Sequence, residues 1–254
     1  MIRGTTPAGA ANEQEASRWV RDMFGRIAPR YDLLNHLLSF NIDRTWRARM
    51  IRRVGPILKD PEARALDLCC GTGDVMLLMA GRGRARIYGS DFCHPMLTAA
   101  RSKAVRKNVP ARLFEADGLA LPLSDSSLDL ITVAFGFRNF ASYRRGLEEM
   151  LRVLRPGGVA AILEFAPPPK TVFGRLHALY SRKILPALGG LISGSREAYE
   201  YLPQSVSRFP DPDELAEQMR AAGFAEVRYE LMTGGSVALH IGRTPAGDAR
   251  TRAD

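Results

Sequence analysis

Short apolar runs alternate with helical patterns through the middle of this chain, and no other feature of the sequence constrains the fold as strongly. Five runs are typical of strands, and they lie at residues 65–69, 86–90, 111–116, 128–134 and 159–164. Three segments between them carry apolar residues at helical spacing, at residues 75–80, 96–104 and 144–154. Strands that alternate with helices build a parallel, doubly wound sheet. The alternation therefore predicts an α/β fold.

The C-terminal part of the chain predicts one helix followed by a β-hairpin. Asp211-Pro212 is typical of a helix start, and Gly223 is typical of a helix end. Strands at residues 225–232 and 236–242 flank Thr233-Gly234-Gly235, a turn that lets the two strands pair. Five parallel strands plus this hairpin resemble the seven-stranded, Rossmann-like fold of class I methyltransferases, which use S-adenosylmethionine (AdoMet).

The ends of the chain differ in composition from its middle. Residues 1–16 are rich in Ala, Gly and polar residues and lack the charged-then-apolar order of a signal peptide. We expect a flexible tail there and at residues 245–254. Residues 17–60 have helical periodicity and are expected to cover the turn after the first strand. The length allows one domain over residues 17–244, with an inserted lid or substrate segment at residues 170–200, although two smaller domains also fit.

The turn after the first strand carries the first sign of a ligand. Gly71-Thr72-Gly73 follows the apolar run that contains Asp67, and Asp91 stands twenty positions after Gly71. Glycines let the backbone approach a ligand, and a carboxylate at the end of the second strand accepts hydrogen bonds from ribose hydroxyls. A dinucleotide site is disfavoured because Met76 takes the place of the third glycine, and no P-loop lysine follows. We expect a nucleoside cofactor.

This turn resembles the D-x-G-x-G-x-G motif of class I AdoMet methyltransferases, with Cys69 in the place of the first glycine. In that interpretation, Asp91 binds the ribose diol and Asp117-Gly118 contacts adenine, while the hydroxyl of Thr72 reaches the methionine moiety. Backbone N–H groups of the turn suit the methionine carboxylate. The alternatives are an ordinary turn with a buried Asp67, a helix N-cap at Asp91 and a polar turn at Asp117.

The net charge of +9 raises the question of an anionic partner. Residues 171–192 carry an apolar stripe with helical spacing and three basic residues, but no acidic residue. Such a helix can dock on anionic lipid, or it can pack on the sheet with its charges in water. Nucleic acid is disfavoured as a partner, because residues 134–137 lack the N/D-P-P-aromatic stretch and the charges are not interleaved with stacking aromatics.

Four further motifs identify the chain as resembling the menaquinone/ubiquinone biosynthesis C-methyltransferase family. They lie in the family's order between about residues 24 and 242, at residues 31–46, 134–139, 152–158 and 233–240. Asp43 and the Gly-Gly pair before Ser236 favour the demethylmenaquinone branch. Ala134 departs from the family, in which a serine is common. A non-enzymatic AdoMet-binding module would leave Arg138-Asn139 unexplained.

The resemblance implies AdoMet as cofactor and methylation of a ring carbon in a lipid-tailed naphthoquinol, which gives menaquinol. The alternatives are another lipid quinol, a ubiquinone precursor or a phytyl naphthoquinol, and less plausibly a nucleic acid. An oxidised quinone is a poor nucleophile, so the substrate must be a quinol with a partly ionised hydroxyl. Arg138 is the first candidate for the partner of that oxyanion, and its alternative role is an ion pair with a helix terminus. Tyr31, His36 and His240 are candidate proton acceptors, although a lone histidine is more often structural.

The three cysteines, Cys69, Cys70 and Cys93, have no metal-ligand spacing, so no metal is expected. An odd number of cysteines without an export signal suits a reducing compartment. We expect a cytoplasmic protein that contacts the inner face of the membrane. The sequence carries no signal of oligomeric state.

Overall fold

A computed structural model describes residues 4–5, 7, 9–32, 39, 41–167 and 196–246, without the side chains of Arg30 and residues 196–200. Within this part of the chain, seven strands form one sheet. They are β1 Arg64–Leu68, β2 Arg86–Asp91, β3 Leu113–Glu115, β4 Leu128–Ala134, β5 Leu154–Phe165, β6 Ala225–Met232 and β7 Val237–Arg243. The strand order is β3-β2-β1-β4-β5-β7-β6. Among these strands, β7 runs in the direction opposite to the other six. The predicted doubly wound, seven-stranded fold is confirmed.

Helices cover both faces of the sheet. In the described residues they are α1 Glu13–Ile27, α2 Ile42–Leu58, α3 Asp74–Ala80, α4 His94–Arg106, α5 Tyr143–Val153, α6 Arg196–Arg208 and α7 Pro212–Ala222. Successive strand residues face opposite sides: Ala65 packs with α2 and α3, whereas Leu66 packs with α5 and α7. Both faces of the inner strands β1, β4 and β5 are buried, as is typical of a sheet made by strand–helix alternation.

Strand β5 begins earlier than the sequence predicts. Arg155-Pro156-Gly157-Gly158 is typical of a loop, but Leu154 already pairs with Leu128, and Val159 pairs with Leu130. Between these two pairs β5 therefore advances by five residues while β4 advances by two, and the glycines form a bulge inside β5. Gly157 has a φ of +75°, which glycine adopts without strain.

The predicted tail at residues 1–16 is wrong in its C-terminal part. Helix α1 begins at Glu13, because the side chain of Asn12 accepts a hydrogen bond from the Glu15 N–H, and Ala16 is already buried. Thr5 is also buried, and its N–H donates to the Phe140 carbonyl at 2.7 Å.

Of the predicted lid at residues 170–200, residues 170–195 lie outside the described part of the chain, and the backbone of residues 196–200 belongs to α6. Residues 247–254 of the predicted C-terminal tail also lie outside it. The two N-terminal helices differ in role. Helix α2 packs into the core on one face of the sheet, whereas α1 lies beside the turn after β1.

Candidate active site

A cleft opens at the carboxyl ends of β1, β2 and β4, with about 660 Å³ of empty space that includes its opening to solvent. The strand order reverses between β1 and β4, which is where open α/β sheets bind ligands. The sheet edge supplies Gly71, Asp91 and Asp117 to the walls. The N-terminal region supplies Ser17, Phe24 and Tyr31, so the predicted helical cover lies over the cleft.

The turn after β1 bends through three residues with positive φ: Cys69 at +56°, Gly71 at +52° and Gly73 at +85°. Cys69 is an unusual residue for this conformation, since it carries a Cβ. Gly136 makes room for it, because a Cβ at position 136 would lie 2.5 Å from the Cβ of Cys69. Burial raises the pKa of the Cys69 thiol well above its ordinary value, and Asp91 raises it further. The thiol is neutral and is no nucleophile.

Asp91 occupies the place predicted for a ribose-binding carboxylate. It lines the cleft, and its Oδ2 accepts a hydrogen bond from the Gly71 N–H at 2.9 Å. Its Oδ1 accepts from the Cys93 N–H at 2.9 Å. The alternative role as helix N-cap is wrong, because α4 begins at His94 with Cys93 as its N-cap. Burial raises the pKa of Asp91 to about 6, against the opposing effect of its backbone hydrogen bonds.

Asp117 and Gly118 also lie at the cleft. Oδ1 of Asp117 accepts from the Leu119 N–H at 2.9 Å, so the polar turn is present beside any contact to a ligand. At Gly118, a Cβ would lie 2.5 Å from the ring of Phe140, which also lines the cleft. Gly118 therefore allows Phe140 to pack closely against this wall.

Asp67, which the motif resemblance places among the cofactor-binding residues, does not line the cleft. It is buried below the turn, where Oδ2 accepts from the Met76 N–H at 2.9 Å and Oδ1 accepts from the Thr132 hydroxyl at 3.1 Å. The alternative of a buried structural aspartate is the observed one. Burial raises its pKa to about 7, although the hydrogen bonds from Thr132 and Met76 lower it.

Replacing Asp67 by Asn is expected to flatten the pH dependence of stability. The carboxyl titrates near 3.8 when unfolded and near 7 when folded. Between these values the folded state binds more protons, so the wild-type free energy of unfolding falls as pH rises through this window. Urea unfolding of both proteins at about pH 5 and about pH 8 measures how far the free energy of unfolding falls with pH. A fall in Asp67→Asn as steep as in wild type would contradict the prediction.

Thr72 and Gly73 pack into the protein beside the cleft instead of lining it. Thr72 is buried, and its hydroxyl donates to Oδ1 of Asp32 while it accepts from Nζ of Lys103 at 3.0 Å. In this structure the hydroxyl predicted to reach the methionine moiety is bonded within the protein. A Cβ on Gly73 would lie 3.2 Å from the Cβ of Ala100, so Gly73 allows α3 and α4 to approach.

Of the predicted catalytic residues, Tyr31 lines the cleft and Arg138 lies behind its wall. Tyr31 packs edge-on against Phe24 with ring centroids 6.0 Å apart. Arg138 is buried, and its Nη1 donates to Oε1 of Glu164 at 2.8 Å and to the Phe135 carbonyl. The alternative of an ion pair is observed, but the partner is Glu164 on β5 and not a helix terminus. Nε of Arg138 is buried without a hydrogen-bond partner among the described residues.

His240 is excluded from the cleft, and its predicted role as a proton acceptor is wrong. It lies in the middle of β7, where its Nε2 donates to the Pro212 carbonyl at 2.8 Å and its ring packs against Tyr229. Burial lowers its pKa to about 4, so the side chain is neutral at physiological pH. Its role is to hold the start of α7 on the sheet. His36 lies outside the described residues.

A hydrogen-bonded chain beside the cleft has no counterpart in the sequence analysis. The Tyr201 hydroxyl donates to Oδ1 of Asn139 at 3.0 Å, and the Thr5 hydroxyl lies 2.7 Å from the same Tyr201 oxygen. Asn139 lines the cleft, and the hydrogen bond from Tyr201 to its oxygen holds the side chain there. Residues 5, 139 and 201 are far apart in sequence, and no spacing signals their contact.

Known proteins resemble the chain over most of its length. The profile of the ubiE/COQ5 methyltransferase family matches residues 10–244. The demethylmenaquinone methyltransferase of Thermus thermophilus is 51% identical over 224 residues, which are 88% of this chain and 100% of that protein. The demethylmenaquinone methyltransferase of Deinococcus radiodurans is 46% identical over 232 residues, which are 91% of this chain and 95% of that protein.

Solved structures share the fold at low sequence identity. The cyclase SpnF superposes with a TM-score of 0.69 at 17% identity, over 96% of this chain and 100% of that one. A possible histamine N-methyltransferase from Thermotoga maritima gives 0.60 at 20% identity, over 88% of this chain and 99% of that one. At such identities the likeness shows the fold alone. Since one of these proteins is described as a cyclase, the reaction depends on the residues placed on the fold.

Proposed function

The chain belongs to the ubiE/COQ5 methyltransferase family, and we propose that it transfers the methyl group of AdoMet to a ring carbon of demethylmenaquinol, giving menaquinol. The main support for this proposal is the 51% identity to a demethylmenaquinone methyltransferase along that protein's full length. The family match spans residues 10–244, which include the N-terminal cover, the cofactor turn and the C-terminal hairpin. This reaction would be the last step of menaquinone biosynthesis.

The cleft fits AdoMet by the chemistry of its walls. Asp91 presents a buried carboxylate that suits the ribose diol, and its position is fixed by the Gly71 and Cys93 N–H groups. Asp117 follows β3, at the place where an acidic side chain suits the adenine amine. When bound, AdoMet supplies a methyl group activated by its positive sulfur. The protein's own task is then to hold the acceptor carbon in line and exclude water.

The acceptor must be a quinol, and we assign the stabilisation of its ionised oxygen to Arg138. This guanidinium is buried, and its Nε has no partner among the described residues. Burial alone lowers the pKa of Arg138, but Glu164 and then Tyr31 and Tyr201 outweigh it and raise the pKa, so the charge persists. Because Glu164 balances this charge and the side chain does not line the cleft, Arg138 would act on the oxyanion from behind the wall.

Tyr31 and Asn139 both line the cleft. Asn139 adjoins Arg138 in the sequence, and Tyr31 lies close enough to Arg138 to raise its pKa. We assign the relay of the quinol proton to the Tyr31 hydroxyl. We assign the orientation of the quinol ring to the Asn139 amide, whose oxygen is held by Tyr201. His240 takes no part in this scheme, because it lies under α7.

The quinone pool of a strain lacking this gene tests the proposal. We expect demethylmenaquinone to accumulate, and we expect the wild-type chain to restore menaquinone while Asp91→Ala does not. An unchanged pool would reject the reaction. Accumulation of a different desmethyl quinone would favour the alternative hypothesis, that the enzyme methylates a ubiquinone precursor or a phytyl naphthoquinol.

We also propose that the enzyme works in the cytoplasm at the inner face of the membrane, because its quinol carries a lipid tail. No helix in the described residues is long and apolar enough to cross a bilayer. Support comes from the basic, apolar stretch at residues 171–192, which lies outside the described part of the chain. Sedimentation with anionic and neutral vesicles tests this contact, and equal, negligible binding to both would remove it.

A further inference from the structure

A single ammonium group joins the N-terminal cover to the cofactor turn. Nζ of Lys103, on α4, lies 2.7 Å from Oδ2 of Asp32, 3.0 Å from Oγ1 of Thr72 and 2.6 Å from Oδ1 of Asp74. We call these four residues the Lys103 cluster. An ammonium has three N–H donors, and each has one acceptor here. The Lys103 side chain is only 14% exposed, so the contacts are poorly screened by water.

The three acceptors belong to different parts of the site. Asp32 follows Tyr31 and Thr72 follows Gly71, and both Tyr31 and Gly71 line the cleft. Asp74 opens α3, where its negative charge also suits the helix N-terminus. The Thr72 hydroxyl closes the arrangement by donating to Asp32. Lys103 thus fixes the chain next to two lining residues without lining the cleft itself.

Further ion pairs link the Lys103 cluster to the start of α2, the next segment of the N-terminal region. Nη1 of Arg47 lies 3.4 Å from Oδ2 of Asp74 and also contacts Asp43 in the first turn of α2. Asp43 accepts a further hydrogen bond from the Ser39 hydroxyl at 2.7 Å. The cofactor turn is therefore tied to the chain at residue 32 and again at residues 39–47.

We propose that Lys103 is a positioning residue that couples AdoMet binding to closure of the N-terminal cover. By holding Asp32 against Thr72, it sets Tyr31 over Gly71, where a Cβ on Gly71 would lie 3.7 Å from the Tyr31 ring. Binding of the cofactor to the turn would then also hold the N-terminal cover in place over the cleft. This inference rests on the proposed function, since it takes AdoMet as the ligand of the cleft.

Calorimetry with AdoMet and no quinol tests the coupling. Lys103→Met keeps the side chain as far as Cε and removes the charged Nζ with its three contacts, and we expect the AdoMet Kd and KM to rise about tenfold. With both substrates saturating, kcat should stay close to wild type, because excess AdoMet restores the closed cover. Lys103→Arg should recover most of the affinity. The exposed Lys107, just past the end of α4, provides the matched control Lys107→Met, which should bind as wild type.

Two further measurements separate coupling from a merely structural role. Asp32→Asn should also raise the Kd, and the effects of the two substitutions should be less than additive in the double variant, because each of them removes the Asp32–Lys103 contact. Hydrogen exchange of residues 17–32 should slow when saturating AdoMet is added to wild type, and slow less in Lys103→Met.

The outcomes also separate this inference from the proposed function. If wild type binds AdoMet and Lys103→Met has the same affinity and the same protection, the coupling is wrong while the function stands. If wild type binds no AdoMet, both are wrong. Should Lys103→Met fail to fold, Asp32→Asn and Lys103→Arg carry the test, and wild-type affinity in Asp32→Asn overturns the proposal.

Discussion

Replacing Arg138 by Met is expected to destabilise the fold by about 3–5 kcal/mol and to abolish methyl transfer. The substitution leaves the Glu164 carboxylate buried on β5 without its cation, because the two side chains are 7% and 1% exposed. Arg138 also donates to the Phe135 carbonyl, a backbone group at the cleft wall. Urea unfolding followed by circular dichroism measures the loss of stability.

An exposed ion pair supplies the matched control. Arg145 and Glu13 lie 2.9 Å apart with side chains 49% and 50% exposed. Arg145→Met should cost at most about 1 kcal/mol, since water screens such a pair. Equal losses for Arg138→Met and Arg145→Met would show that the Arg138–Glu164 pair does not stabilise the core.

A double variant separates stability from chemistry. Arg138→Met combined with Glu164→Leu removes both buried charges, and replacing a buried pair by apolar side chains is often neutral or stabilising. We expect this variant to regain much of the lost stability and to bind AdoMet, but to remain inactive with the quinol. Turnover at the wild-type rate would refute the role of Arg138 as partner of the oxyanion.

Replacing Asp91 by Ala is expected to weaken AdoMet binding about tenfold to a hundredfold, since hydrogen bonds to a charged group contribute about 1.5–3 kcal/mol. The variant removes the carboxylate that faces the cleft and that also receives the Gly71 and Cys93 N–H groups. Calorimetry measures the affinity. Glu226→Gln is the control, because Glu226 is an exposed carboxylate on the edge strand β6, does not line the cleft and should not affect binding.

The affinity should also depend on pH through Asp91. Its pKa without ligand is about 6, and ribose hydroxyls donate to the ionised form. AdoMet affinity should therefore be greatest above this pKa and fall as pH drops through it, whereas Asp91→Asn should bind weakly with little dependence on pH. The same pH dependence in Asp91→Asn as in wild type would assign the titration to another group.

The outline of the fold follows from local patterns in the sequence. Strands buried on both faces are short apolar runs, so β1, β2 and β4 are found within one residue of the predicted ends. The start of β5 is missed because a Pro-Gly-Gly stretch inside a strand depends on its pairing with β4, which local sequence does not record. The start of α1 is missed because its cap, Asn12, lies in a stretch of loop-like composition.

The site follows from the sequence only where a strand end fixes the residue. Asp91, Asp117 and Tyr31 reach the cleft as predicted. The hydroxyl of Thr72 turns away from the cleft because it donates a hydrogen bond to Asp32, forty residues earlier in the chain. The side chain of His240 turns away because α7 covers that part of the sheet. Such outcomes depend on partners that only the folded chain brings together.

The most direct test of the proposed reaction is an assay of the purified chain with chemically reduced, short-tailed demethylmenaquinol and AdoMet labelled in its methyl group. We predict that the label appears on a ring carbon of the product, that the quinone form of the substrate is not methylated, and that S-adenosylhomocysteine forms in equal amount. Labelled product with a reduced ubiquinone precursor but none with demethylmenaquinol would contradict the account, as would the absence of transfer to any quinol by a chain that binds AdoMet.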